Sequence, residues 1–175
     1  LGIIVEGYMD TLTAHQNGFT NVVASMGTAL TRQQVSKLVG IADAFVLALD
    51  PDEAGREATV RSLESAWGVF QPTNQHSRHW TGQQNFPRRP IVDLRIAILP
   101  PGMDPDDLIR KDPEDWIKVI TSSASLPDFL LDTLPSRYDL NSSEGKLQFT
   151  ERFSGLLLSL ADTNQQDRLL ERMEK

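Results

Sequence analysis

The sequence predicts an α/β fold: one layer of four mainly parallel strands with flanking helices, followed by an all-helical subdomain. Three observations carry this. Short apolar runs alternate with amphipathic stretches over roughly the first hundred residues. One run, Ala44 to Leu49, is apolar at every position, as expected of a parallel strand covered on both faces. Beyond Asp104 the alternation stops and only helical periodicity remains.

Taken in order, Gly2 to Val5 is a short apolar run, and Gly7 breaks it. Met9, Leu12 and Ala14 then begin a helical pattern that stops at Asn17-Gly18. Val22-Val23-Ala24 reads as a second strand. Thr31 and Gln34, three apart, form a capping box, behind which Val35, Leu38, Val39 and Ala42 recur at helical spacing to near Gly40. The third strand is Ala44 to Leu49. Val60, Leu63, Trp67 and Phe70 then mark a third helix from about Glu53, with Trp67 in the core. Residues 71–90 show no period and read as a surface insertion. Leu94 to Leu99 is the fourth strand, closed by Pro100-Pro101-Gly102. Helices then start at Asp104-Pro105, at Asp112-Pro113 and near Pro127, with proline at a permitted first-turn position. The tail continues helical, placing Phe149, Phe153, Leu156, Leu157 and Leu160 on one face, with a last segment near Gln165 to Met173. The expected division is residues 1–105 for the α/β unit, with the 71–90 insertion, and 106–175 for the helical subdomain.

At 175 residues with 39% apolar composition, the chain can fill a core without staples. It has no cysteine, which excludes disulfides, zinc ribbons, iron–sulfur clusters and thiol nucleophiles. The longest apolar run is far below the roughly 20 residues of a membrane span, so the expectation is a cytoplasmic protein without membrane contact. Because an apolar strand begins at once after Leu1, the chain reads as a piece of a larger enzyme, and nothing suggests more than a monomer. Net charge is −7, from 17 Lys and Arg against 24 Asp and Glu. That is the wrong sign for gripping nucleic acid with a basic face, so such a role has to run through bound cations or a basic neighbour.

Acids stand where the strands end. Glu6 ends the first strand, Asp50 the third, and Asp104 lies just past the fourth; Asp10 is one turn into the first helix, and Asp52 and Asp106 each follow a partner by two. In a parallel sheet these ends share the edge where open α/β folds bind ligands. Like charges 4 Å apart repel by about 4 kcal/mol at an effective dielectric near 20, so convergence calls for protonation or for divalent cations. Oxygen-only donors select Mg2+ or Mn2+. Two such ions can clamp a phosphoryl group, which reconciles an acidic chain with a polyanionic substrate. Helix capping competes with this reading. Asp-Pro-acid-acid occurs three times, at Asp50, Asp104 and Asp112, and each is a favourable helix start. Only the first two follow sheet strands, so Asp112 is assigned to capping.

Four strings, Glu6-Gly7-Tyr8-Met9-Asp10, Ala24-Ser25-Met26-Gly27-Thr28-Ala29, Asp50-Pro51-Asp52-Glu53-Ala54-Gly55-Arg56 and Leu99-Pro100-Pro101-Gly102-Met103-Asp104-Pro105-Asp106-Asp107, resemble in order and spacing the Toprim segment of bacterial DnaG-type primases. Ile109-Arg110-Lys111, Tyr138-Asp139-Leu140 and Ser143-Glu144-Gly145 extend the resemblance into the tail. It implies a Toprim-like, Rossmannoid layer and template-directed synthesis of short RNA primers from ribonucleoside triphosphates on a single-stranded DNA template. It also implies a replicative helicase as partner, through a C-terminal region outside these residues. Carried over, Glu6, Asp10, Asp50, Asp52, Asp104 and Asp106 match the family's metal-binding acids. Asp50 and Asp52 are then principal ligands, and Glu6 binds metal or takes the proton of the attacking 3′ hydroxyl. With the family's other domains outside this sequence, the fragment alone is expected to bind metal and make no primer.

Two other activities compete. A Toprim nuclease would use the same acids on water. A receiver-type domain would accept a phosphoryl group on Asp50, but such a domain needs a fifth strand ending in lysine. Weaker candidates are Arg56 beside the Asp50/Asp52 pair, as a phosphate contact or an ion-pair partner, and Lys111, as a helix C-terminal cation or a phosphate ligand. Arg88 and Arg89, with Arg78, Trp80 and Phe86 in the insertion, mix charge and aromatics as single-strand grooves do. His76 and His79 lack a third zinc ligand in that loop, so no zinc is expected.

Overall fold

The computed structural model describes residues 1–27, 30–49, 57–70, 92–160 and 163–173. Strand β1 (Gly2–Val5) leads into helix α1 (Tyr8–Gln16), then β2 (Val22–Ala24), α2 (Arg32–Leu38), β3 (Ala44–Leu49) and α3 (Glu57–Phe70). After β4 (Asp93–Ile98) come α4 (Pro105–Lys111), α5 (Pro113–Thr121), β5 (Ala124–Ser125), α6 (Leu126–Thr133), a 3-10 turn at Pro135–Arg137, α7 (Ser143–Ser159) and α8 (Thr163–Met173).

The sheet order is β2-β1-β3-β4-β5, with β1 to β4 mutually parallel. The expected layer of four strands gains a fifth: β5 pairs antiparallel with β4, Arg95 opposite Ser125. Two residues carry no periodicity, so this edge strand left no trace in the sequence. A side chain fixes it. Arg95 donates from Nε to Ser123 Oγ at 3.0 Å and also donates to the Ser123 carbonyl, pinning the turn before β5.

Both faces of the sheet are covered, as the apolar strands require. On one face Ile4, Phe45, Leu47, Leu49, Leu94 and Ile96 meet α2, α3 and the tail helices α6 to α8. On the other, Ile3, Val5, Val46, Ala48, Ala97 and Leu99 meet α1, α4 and α5. Trp67, Phe149 and Phe153 are core residues. Trp116 is wholly buried with Phe19 packed edge-on, ring centroids 6.4 Å apart; burying such a side chain contributes about 3 kcal/mol. The division expected between 105 and 106 falls inside this packing, because α4 and α5 belong to the same core as the sheet.

Capping chemistry sets the helix starts. Thr31 accepts from the Gln34 amide while the Gln34 side chain accepts from Thr31. Asp112 Oδ1 accepts from the Glu114 and Asp115 amides at 3.0 and 3.2 Å. The third helix is described only from Glu57, so its expected beginning near Glu53 and the 71–90 insertion lie outside the described residues.

Candidate metal centre

The strand order reverses between β1 and β3: from β1 the chain crosses outward to β2, then back past β1 to β3. A crevice at the carboxyl edge is expected at such a switch point. One is present: an open cleft of about 280 Å³ lined by Glu6, Gly7, Asp10, Ala48, Leu99, Asp104 and Pro105. It draws acids from three segments. Glu6 immediately follows β1, and its Oε1 is shielded from solvent. Asp10 projects from the first turn of α1 and is only 8% exposed. Asp104 is the exposed N-cap of α4.

Asp10 is held on both oxygens. Oδ2 accepts from the Gly7 amide at 3.0 Å, and Oδ1 accepts from the Asp106 amide at 3.3 Å, 96 residues away. Burial raises its pKa; the Gly7 bond opposes that rise, and the Asp104 and Asp106 charges add to it. Such a carboxylate gains from a cation beside it. Asp104 caps its helix and faces the cleft at once. Oδ1 caps α4 by accepting from the Asp107 amide at 2.7 Å, while the residue also lines the cleft. Asp104, Asp106 and Asp107 each bring a carboxylate oxygen within 4.8 Å of the other two. Asp107 was not among the expected ligands; its place in the first turn after the Asp104 cap is the signal that would have found it.

Asp106 is more committed than expected. It accepts from the buried Thr13 hydroxyl and pairs with Arg110 at 2.8 Å, and together these hold its pKa low, the Thr13 bond first. It does not line the cleft. Asp50, Asp52, Arg56, Arg88 and Arg89 lie outside the described residues. Lys111 is exposed at the last residue of α4, a C-terminal helix cation whose charge helps Lys118 depress the Asp115 pKa.

Residues 3–85 match the Toprim-like family model, and residues 127–175 match the model described as the DnaB-helicase binding domain of primase. A DNA primase from Clostridium acetobutylicum is 31% identical over 159 residues, 90% of this chain and 23% of that protein. The chain belongs to the bacterial DnaG-type primases. The Pseudomonas putida DNA primase is 28% identical over 99% of the chain and 24% of its own length. A solved DnaG primase catalytic domain bound to ssDNA superposes with a TM-score of 0.76 at 26% identity, covering 99% of this chain and 50% of that one. The E. coli primase catalytic core gives 0.75 at 27% identity, over 98% and 49%. The chain thus spans about a quarter of the length of the curated relatives it matches, and about half of the solved primase chains. The DnaG catalytic-core fold is the one expected, a Toprim-like sheet with a helical region behind it. The helicase-binding match falls on the tail, whereas the sequence placed the helicase contact outside these residues. No described helix is long and apolar enough to cross a membrane.

Proposed function

We propose that this chain is the cation-binding part of a primase that builds short RNA primers on a single-stranded DNA template from ribonucleoside triphosphates. The observation that carries the reading is the convergence of Glu6, Asp10 and Asp104, from three separate segments, on one cleft at the sheet's switch point. The donors are all carboxylate oxygens, a set suited to Mg2+ or Mn2+ rather than zinc. Bound divalent cations would supply the charge that activates a 3′ hydroxyl and stabilises the phosphoryl oxygens.

The chain's own residues do the rest. The Gly7 and Asp106 amides fix the plane of the Asp10 carboxylate, and the Asp107 amide holds Asp104 Oδ1, which leaves Oδ2 to face a ligand. Ala48, Leu99 and Pro105 wall the cleft with apolar surface beside the acids. Asp50 follows β3 directly in sequence and, with Asp52, completes the ligand set; Glu6 is either a further ligand or the proton acceptor. The helicase-binding match at 127–175 supports a helicase contact on the tail, and the ssDNA-bound relative supports a single-stranded template.

Titration of the 175-residue chain with Mn2+, followed by electron paramagnetic resonance, tests the reading. Uptake should fall at least about tenfold in Asp10→Asn and in a double Asp50→Asn, Asp52→Asn variant. Variants that take up as much Mn2+ as the parent would defeat it.

A further inference from the structure

Two side chains outside the acidic strings converge on Asp106. Thr13, on α1 and 2% exposed, donates its hydroxyl proton to Asp106 Oδ1. Arg110, one turn beyond Asp106 on α4, donates to the same oxygen from Nε at 2.8 Å and to the Thr13 hydroxyl from Nη2 at 3.3 Å. The three groups close a triangle. Two donors fill both lone pairs of Oδ1, which sets the carboxylate plane and leaves Oδ2 as the oxygen Asp106 has to offer.

The same residue reaches Asp10 with its backbone amide. One turn of α4 is therefore stapled to α1 twice, through Thr13 to the Asp106 side chain and through the Asp106 amide to Asp10. A buried helical threonine commonly bonds back to a carbonyl of its own helix. Thr13 instead spends its hydroxyl proton on an element 93 residues away. Carboxylates that hold cations are themselves oriented by such outer hydrogen bonds, whose loss typically weakens metal binding about 10–100-fold.

We infer that Thr13 and Arg110 are positioning residues for the cation site: acting through Asp106, they orient its free oxygen and hold Asp10 at a fixed separation from the acids of α4. This rests on the metal-binding reading above. Arg110 carries a second, opposing effect, since a positive charge near a cation repels it. The two effects predict opposite signs on its removal.

Mn2+ titration of the 175-residue chain, followed by electron paramagnetic resonance, separates the outcomes. Thr13→Val should bind about tenfold more weakly, Thr13→Ser within about twofold of the parent, and Arg110→Gln more weakly than the parent. Parent-like binding by a folded Thr13→Val, or parent-like or tighter binding by Arg110→Gln, overturns the inference. Circular dichroism reports whether Thr13→Val folds; if it does not, Arg110→Gln, altered at a side chain 59% exposed, carries the test alone. A parent chain that takes up no Mn2+ defeats the metal reading and this inference with it. Uptake lost in Asp10→Asn but intact in Thr13→Val and Arg110→Gln leaves the metal site standing and defeats only the positioning role.

Discussion

Arg152 grips Glu64 with two hydrogen bonds, from Nε at 2.8 Å and Nη2 at 3.0 Å, and so ties α7 of the tail to α3. Nη2 also reaches Glu57 Oε1 at 3.0 Å, Nη1 reaches the Tyr138 hydroxyl at 3.2 Å, and Arg137 pairs with Glu57. Glu64 is the largest influence that raises the already high Arg152 pKa. Beneath this network Tyr138 packs on Phe149, which stacks on Phe153, so the ion pairs lie over the core shared by the tail and the sheet.

Arg152→Met keeps the aliphatic stem and removes every bond that Arg152 makes, so Glu64 loses its bidentate partner while Glu57 keeps Arg137 and Arg61. A hydrogen bond to a charged group contributes about 1.5–3 kcal/mol when shielded. Arg152 is 24% exposed, so a net loss of about 2 kcal/mol is expected in urea denaturation. Arg152→Lys should recover little, because an ammonium cannot reproduce the paired geometry on Glu64. Full recovery by lysine would show that charge alone matters.

Acid should weaken the same junction. Burial disfavours the Glu57 charge, but hydrogen bonds from Arg61 and Arg152 and the charges of Arg152 and Arg137 outweigh it and hold the carboxyl below its ordinary 4.5. The folded state therefore binds fewer protons than the unfolded state in the window between the two pKa values. The contribution is complete above about pH 4.5 and is lost as pH falls through the folded value. Urea midpoints measured at descending pH should fall less steeply for Glu57→Gln, which also starts lower at neutral pH. Parallel curves would remove Glu57 from the acid response.

Gly145 tests how closely the tail turn is packed. A Cβ there would stand 2.2 Å from the Asp139 carbonyl oxygen, a backbone atom that cannot swing aside, and 3.0 Å from Ser142 Oγ, the N-cap of α7. Gly145→Ala should cost about 1–3 kcal/mol by overpacking, although alanine favours helix more than glycine does. Thermal unfolding would report it, and a more stable variant would show that the turn opens at little cost.

Parallel strands buried on both faces leave continuous apolar runs, and Gly2–Val5 and Ala44–Leu49 are such runs themselves; the edge strand Val22–Ala24 was legible as an apolar run although its Val23 is exposed. β4 is displaced by one residue, Asp93–Ile98, although Leu99 still donates to Leu49 at 2.8 Å. β5 was invisible at two residues. In the candidate site, the grouping of Glu6, Asp10 and Asp104 followed from strand ends and parallel pairing. Thr13 and Arg110 did not, since nothing local distinguishes a helical threonine aimed at its own backbone from one aimed across 93 residues. The expected equivalence of Asp104 and Asp106 likewise missed that only the first lines the cleft.

Gly7 offers a probe of the acids that leaves their charge untouched. Its backbone, φ −96° and ψ 152°, is extended and open to any L residue, so alanine introduces no backbone strain. The added Cβ would lie 2.8 Å from Asp10 Oδ2, the oxygen that accepts the Gly7 amide. Asp10 is 8% exposed and tied on its other oxygen to Asp106, so it has little room to retreat. Relief comes by rotating the carboxylate, which breaks the orientation the two amides set. Gly7→Ala should weaken Mn2+ binding several-fold while costing about 1 kcal/mol or less in stability, since alanine is a poorer N-cap than glycine. Mn2+ affinity equal to the parent, with the stability loss present, would mean that the Asp10 orientation does not govern cation binding.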